Sequence, residues 1–225
     1  MIAFLFCLLT VVTSIKIIPV ENSVALIEAD RIHNPPPDPK KTEEDKGMIE
    51  YLTLCSYGDL TKLNFKIKDP KGLVKWTEDN FDYVQYNPHK KINRQGLSIT
   101  SLDGGLSGRP DLDSIWTEDP KDMPTEQDMN VPTPVYEHPE VKALCDFFQP
   151  YVGRSHFLKI PPGGYFPPHR DFKSLQLTSF RIIVPLMNME YPRFTFMLED
   201  KILPWEKGAV YFLNTAKTHH LFNAG

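Results

Sequence analysis

The stretch SHFLKIPPGGYFPPHRD, residues 155–171, reads as a strand, a tight turn and a second strand. Short β-type runs follow it, separated by Gly, Pro, Asn and Asp and without an intervening helical pattern. These runs are LTSFRIIVPL (177–186), RFTFML (193–198), GAVYFL (208–213) and HHLFN (219–223). Short strands with this punctuation predict a mainly β fold, either an antiparallel sandwich or a jelly roll.

The sequence before residue 153 predicts a few helices that flank the β-sheets. Residues 139–150 have apolar side chains at helical spacing, and Pro139 suits the first turn of a helix. Shorter helices are expected near residues 48–57 and 72–80, and residues 62–68 alternate like a strand. We therefore expect one domain over residues 47–225, with its core motifs in residues 153–225.

Residues 1–46 form a separate N-terminal segment, in which an apolar stretch precedes a proline- and charge-rich loop at residues 33–46. The apolar run from Ile2 to Val12 has the length of a signal-peptide core but is too short for a helical membrane span. No Lys or Arg precedes the run and no clear cleavage site closes it, so a buried strand is the other interpretation. The expected location is cytoplasmic (the host cytoplasm if the protein is viral), with export as the alternative if residues 1–14 are a signal peptide.

The composition excludes some partners. The formal net charge is -4 in 225 residues, which leaves no basic footprint for nucleic acid, and an anionic ligand would need local arginines. The three cysteines are scattered and form no CxxC pair, which argues against a disulfide framework or a zinc knuckle. A small-molecule or peptide substrate is the expected partner, and the oligomeric state is left open.

His169 and Asp171 form a His-x-Asp pair, which by itself arises readily by chance. On an extended strand the two side chains project to the same side, so a third metal ligand must come from another strand. Only His219 and His220 remain downstream. Two histidines and one carboxylate leave metal positions open, as in non-haem Fe(II) oxygenases, whereas zinc more often takes a closed tetrahedral set.

Two other patterns have plainer interpretations. His138 and Glu140 also stand two residues apart, but they flank a helix start, where an acidic side chain complements exposed backbone N–H groups. The glycines Gly104, Gly105 and Gly108 lie in a loop that no GK[ST] follows, so they are interpreted as turn residues, with a substrate-facing loop as the alternative.

Taken together, the ordered motifs resemble a known family. RSHFLKIPPGGYFPPHRDF, then SFRIIVPL, then PWEKGAVYFLNTAKTHHLFN are similar to the aspartyl/asparaginyl/proline β-hydroxylases, which are 2-oxoglutarate- and Fe(II)-dependent dioxygenases. The resemblance covers residues 154–223 and includes the PPGG turn, the His-x-Asp pair, an arginine-bearing strand and a closing His-x-x-x-Asn. The stretch ITSLDGGLSGRPDLDS in the N-terminal half resembles oxygenases encoded by phages of marine bacteria.

The resemblance implies a double-stranded β-helix (jelly roll, cupin-like) that holds Fe(II) through His169, Asp171 and His219. The position four residues before Asn223 selects His219 over His220. The implied cosubstrates are 2-oxoglutarate and O2, and the implied reaction hydroxylates a C–H of an amino-acid or peptidyl (Asp/Asn/Pro) substrate.

Arg181 lies in the apolar strand FRIIVPL, where a buried guanidinium requires an acidic partner. That partner is either one of the protein's own carboxylates or a carboxylate of 2-oxoglutarate or of the substrate, and the resemblance favours the second. Asn214 and Thr215 precede His219 and are candidates to orient the ligands, Asn214 as a cofactor-binding residue. Arg154 and His156 share one face of their strand and are candidates to line the same cavity, with a packed or exposed role as the alternative.

The resemblance also predicts features that would lie beyond Gly225. The family usually carries a second arginine after the closing histidine, which binds the distal carboxylate of 2-oxoglutarate, and a last barrel strand. We therefore expect a C-terminally truncated domain. Two alternatives from other classes are a cupin-like zinc or manganese isomerase or hydrolase, and a non-catalytic jelly-roll binding module.

Overall fold

The structure, a computed structural model, describes residues 2–9, 51–87, 92–106, 124–149, 151–171 and 179–225. Within these ranges the chain forms three sheets in which every strand pair is antiparallel, with helices beside them. The prediction of a mainly β fold is confirmed. The loop predicted at residues 33–46 lies outside the described residues.

The strands follow one another along the chain as β1 (Ile2–Leu9), β2 (Leu60–Lys66), β3 (Val84–Gln85), β4 (Gln95–Ser98), β5 (Thr100–Ser101), β6 (Val131–Pro132), β7 (Val152–Ile160), β8 (Tyr165–His169), β9 (Phe180–Pro185), β10 (Phe194–Leu198), β11 (Lys201–Ile202), β12 (Ala209–Leu213) and β13 (His219–Asn223). The helices are α1 (51–56), α2 (Pro70–Asn80) and α3 (Pro139–Phe147), and a 3-10 helix spans Pro134–Glu137.

The two larger sheets face each other. The seven-stranded sheet has the order β2-β12-β9-β1-β7-β4-β3, the four-stranded sheet has the order β11-β10-β13-β8, and β5 pairs with β6. One apolar cluster packs the large sheet against the helices, through residues such as Phe157 and Phe212 with Leu73 and Leu144. A second cluster fills the space between the sheets. It includes Leu158, Ile183, Leu213, Phe196 and Leu221.

Strand β1 joins the two halves of the large sheet. It pairs antiparallel with β7 on one side and with β9 on the other, so that Phe4 lies opposite both Leu158 and Pro185. Residues 2–9 are therefore a central strand in this structure. No helix in the described part of the chain combines the length and the apolarity needed to cross a bilayer.

The helices begin where local signals place them. The carboxylate of Asp69 accepts the N–H of Gly72 at the start of α2, and Pro139 stands in the first turn of α3. His138 caps α3 by accepting the N–H of Glu140 on Nδ1 (3.3 Å). The Glu140 carboxylate, however, accepts the N–H groups of Lys68 and Asp69 at the start of α2 (2.8 and 3.0 Å). The predicted structural role holds, but Glu140 complements a neighbouring segment and not only its own helix.

Candidate metal centre

The PPGG motif builds the turn from β7 to β8. The N–H of Gly164 donates to the carbonyl of Pro161 (2.8 Å), and Gly163 has φ +79°. This is the pattern of a type II turn, in which the third position favours glycine because its φ is positive. Gly164 is required for another reason, since a Cβ there would collide with the carbonyl oxygen of Asn93.

Asn223 fastens β13 to the same turn. Its side-chain amide donates to the carbonyl of Ile160 (2.7 Å), and its backbone carbonyl accepts the N–H of Gly163 (2.7 Å). The closing His-x-x-x-Asn motif therefore fixes the strand that carries His219 against the strand pair that carries His169. The contact is structural and holds the two halves of the candidate site in register.

The structure brings His169, Asp171 and His219 together. His169 ends β8 and lies directly opposite His219 on β13. Asp171 follows just beyond β8, where its backbone N–H donates to the carbonyl of Thr215 (2.9 Å). One ligand atom from each of the three side chains lies within 4.8 Å of the others.

Hydrogen bonds orient both imidazoles. The Nδ1 atom of His169 lies 2.7 Å from the carbonyl oxygen of Pro167, and that of His219 lies 3.0 Å from the carbonyl oxygen of Lys217. A carbonyl only accepts, so each Nδ1 carries a proton and directs Nε2 of the same ring as the ligand atom. These Nε2 atoms lie 3.7 Å (His169) and 4.0 Å (His219) from Oδ1 of Asp171.

Burial and neighbouring charges set the pKa values of the candidate ligands His219 and Asp171. Burial lowers the pKa of His219 to about 4, so the imidazole is neutral at neutral pH. Burial alone would raise the pKa of Asp171, but the adjacent Arg181 guanidinium, with smaller effects from His219 and His169, holds it below the ordinary value. The site therefore presents one carboxylate and an uncharged buried imidazole.

Arg181 pairs with two of the protein's own carboxylates. Its Nε donates to Oδ2 of Asp171 (2.7 Å), and its two terminal nitrogens donate to the two oxygens of Glu126 (both 3.1 Å). Glu126 also accepts from Arg154 (2.8 Å). This arrangement is the first of the two alternatives for Arg181, an internal ion pair.

The candidate ligands open onto a cavity of about 470 Å³ between the two large sheets. Its walls combine apolar and basic side chains. They include Leu158, Phe166, Phe196, Leu221, Arg94, Arg154, Arg170, Arg181, Tyr86, His156 and His220. Arg154 and His156 line the cavity, which is the first of the two alternatives for them. Arg94 stacks on the ring of Phe166, with its Cζ 3.8 Å from the ring centroid.

Some of the other residues predicted for the site lie away from the three candidate metal ligands. The Asn214 amide donates to Asp59 (3.0 Å) and accepts from the hydroxyl of Tyr51 (3.0 Å), so the structure offers no support for a cofactor-binding role. Thr215, in contrast, contacts Asp171 through both backbone and side chain. Gly104 and Gly105 do not line the cavity, and Gly108 lies outside the described residues.

Sequence reasoning missed Glu126 and Tyr86. Glu126 is 3 % exposed and lies in the segment between β5 and β6, in a polar stretch with no apolar periodicity. The only signal for it was indirect, because a buried Arg181 requires an acid somewhere. Tyr86, whose hydroxyl accepts from Arg154 (3.3 Å), follows the two-residue strand β3 and had no local signature.

Comparison with models of known protein families and with curated proteins found no match to this chain.

Proposed function

We propose that the protein is a 2-oxoglutarate- and Fe(II)-dependent dioxygenase that hydroxylates a C–H bond of an amino-acid or peptidyl substrate. The observation that carries the proposal is the convergence of His169 Nε2, His219 Nε2 and Asp171 Oδ1 at the wall of one cavity. The fold that we propose with it is a jelly roll, since two antiparallel sheets face each other and enclose the site between them.

The donor set fits a divalent transition metal. Two imidazoles and one carboxylate form the facial arrangement that non-haem Fe(II) oxygenases use, with coordination positions left for other ligands. Each imidazole donates its Nδ1–H to a backbone carbonyl, which is the usual support for a metal-bound histidine. The two oxygens of Asp171 have different partners. Oδ2 accepts a hydrogen bond from Arg181, and Oδ1 faces the two imidazoles.

With Fe(II), 2-oxoglutarate and O2 bound, the metal centre would supply the oxidative chemistry: 2-oxoglutarate loses CO2 and becomes succinate, one oxygen atom enters succinate, and the other converts the substrate C–H into C–OH. The protein's side chains would hold and shield these reactants. Leu158, Phe166 and Phe196 keep part of the wall apolar, which limits the access of water.

The charge of the wall suits an anionic cosubstrate. Four arginines face the cavity, whereas the described residues place two carboxylates beside it, Asp171 and Glu126. An excess of positive charge in a cleft attracts small anions. Because Asp171 and Glu126 engage Arg181, we assign the cosubstrate carboxylate to the basic wall as a whole and not to Arg181 alone.

The engagement of Arg181 also favours a second candidate. If no guanidinium in the cavity binds 2-oxoglutarate, the same three ligands would serve a cupin-like zinc or manganese enzyme, an isomerase or a hydrolase. Such a protein would bind a divalent metal through the same triad but would show no dependence on 2-oxoglutarate.

The test uses the full-length protein with Fe(II), 2-oxoglutarate and ascorbate. We expect succinate to form, and we expect the charge-transfer absorption band that arises when 2-oxoglutarate chelates Fe(II). His169→Ala should abolish both signals, whereas His138→Ala, a histidine outside the cavity, should leave both unchanged. Iron binding without either signal would refute the oxygenase and favour the second candidate. Unchanged iron affinity in His169→Ala would refute the metal site itself.

A further inference from the structure

Glu126 occupies the centre of the buried charge network. Its side chain is 3 % exposed, and its carboxylate accepts from Arg154 and, through both oxygens, from Arg181. Its backbone carbonyl accepts the N–H of Arg154 (2.8 Å), so main chain and side chain are both fixed to β7. Burial alone would raise the pKa of Glu126, but Arg181 and Arg154 hold it below the ordinary value, which keeps the group ionised.

Arg181 transmits the position of Glu126 to Asp171. The guanidinium is planar and its five N–H groups form a rigid fork. The fork donates along two edges at once. The terminal nitrogens donate to Glu126, and Nε donates to Asp171. A displacement of the Glu126 carboxylate therefore tilts the plane and moves the Nε–H that holds Oδ2 of Asp171.

Asp171 depends on such support, because it stands past the end of β8 and outside its strand pairing. The Arg181 bond to Oδ2 at 2.7 Å leaves Oδ1 directed at the two imidazoles. Rotation of the carboxylate would exchange or misdirect these oxygens. Thr215 also bonds Asp171 through its side chain, and a chain of charge-assisted hydrogen bonds that begins at Glu126 fixes Oδ2.

We propose that Glu126 is a positioning residue for the metal ligand Asp171 and acts through the guanidinium of Arg181. The inference rests on the metal site of the proposed function and adds to it a residue remote from the metal. It assigns the segment 124–130, which carries Glu126, a part in tuning metal affinity.

The experiment titrates Co(II), a spectroscopic substitute for Fe(II), into the wild-type chain and into Glu126→Gln. We expect the substitution to weaken Co(II) binding by about 10–100-fold, the range for lost outer-sphere support, and to change the visible d–d bands that report ligand geometry. Glu78→Gln is the matched control. It converts another carboxylate that pairs with β7, through Lys159 at 3.0 Å, and should leave affinity and bands unchanged.

A loss of stability in Glu126→Gln would not distinguish a positioning role from a purely structural one, because this substitution also removes a structural ion pair. A folded Glu126→Gln protein with wild-type Co(II) affinity and bands overturns the positioning role. If this variant does not fold, Glu126→Asp is the second test, since it keeps the charge and shortens the side chain. Weaker Co(II) binding with an unchanged circular dichroism spectrum supports the positioning role. Wild-type Co(II) binding overturns it. A wild-type chain that binds no Co(II) refutes the metal site itself, a result distinct from the other two.

Discussion

Arg181→Met distinguishes an internal ion pair from a ligand-binding arginine. The side chain is 10 % exposed and makes three hydrogen bonds to two carboxylates. Methionine fills similar space but leaves Asp171 and Glu126 without this cation. Removal of one partner from a buried ion pair costs about 3–5 kcal/mol. With a urea m-value of about 2–3 kcal/mol/M for a chain of this size, the unfolding midpoint should fall by about 1–2.5 M.

The assay is equilibrium unfolding in urea, followed by fluorescence and circular dichroism at pH 7 without metal or 2-oxoglutarate. Arg170→Met is the control. Arg170 lines the same cavity but is exposed and bonds only the hydroxyl of Thr218 among the described residues (3.2 Å), so its loss should change stability by less than about 0.5 kcal/mol. Equal midpoints for the two variants would refute the internal ion pair. Arg181 would then be available to a ligand carboxylate, the alternative that the resemblance favours.

Two further outcomes follow from the strand order and from the buried histidine. Phe6→Pro, in the middle of β1, removes an N–H between His156 and Ile183 in the sheet and should reduce the free energy of unfolding by on the order of 3 kcal/mol, as measured in urea; an unchanged midpoint would show that residues 2–9 do not contribute a central strand. His219 has a pKa of about 4 when folded and about 6.5 when unfolded, so the unfolded state takes up the proton first as the pH falls. Metal-free wild type should therefore lose about 3 kcal/mol more than His219→Asn between pH 6.5 and pH 4, and parallel stability curves would contradict the burial of a neutral imidazole.

The features that could be predicted from the sequence are those with a local signature. Alternation along a strand placed His169 and Asp171 on one side, and His219 faces His169 across the β8–β13 pair. The PPGG motif predicted a turn because proline fixes φ and glycine readily adopts a positive φ, which a four-residue turn requires. The mainly β fold was predictable for the same reason, since strand and turn signals are short-range.

The features that could not be predicted depend on distant residues. Arg181 required an acid, but Glu126 stands 55 residues away in a polar stretch with no periodicity. Asn214 was a candidate because of its proximity in sequence to His219, but its side chain bonds Asp59 and Tyr51. Its backbone N–H and its side-chain amide both donate to Asp59, and Asn214 does not line the cavity. Pairing partners of this kind are set by the tertiary structure and not by local pattern.

The position of β1 has a consequence for how the protein is made. Phe4 lies opposite Pro185, so about 180 residues of chain separate the two sides of that pairing. At a synthesis rate of about 5–20 residues per second, β1 waits roughly 10–40 s for its second neighbour, β9. During that time an apolar segment, IAFLFCLL, has unpaired backbone on both edges and is open to association with other chains. Strand β1 is thus exposed to association with other chains during synthesis, and a chaperone that holds nascent apolar strands should raise the yield of folded protein.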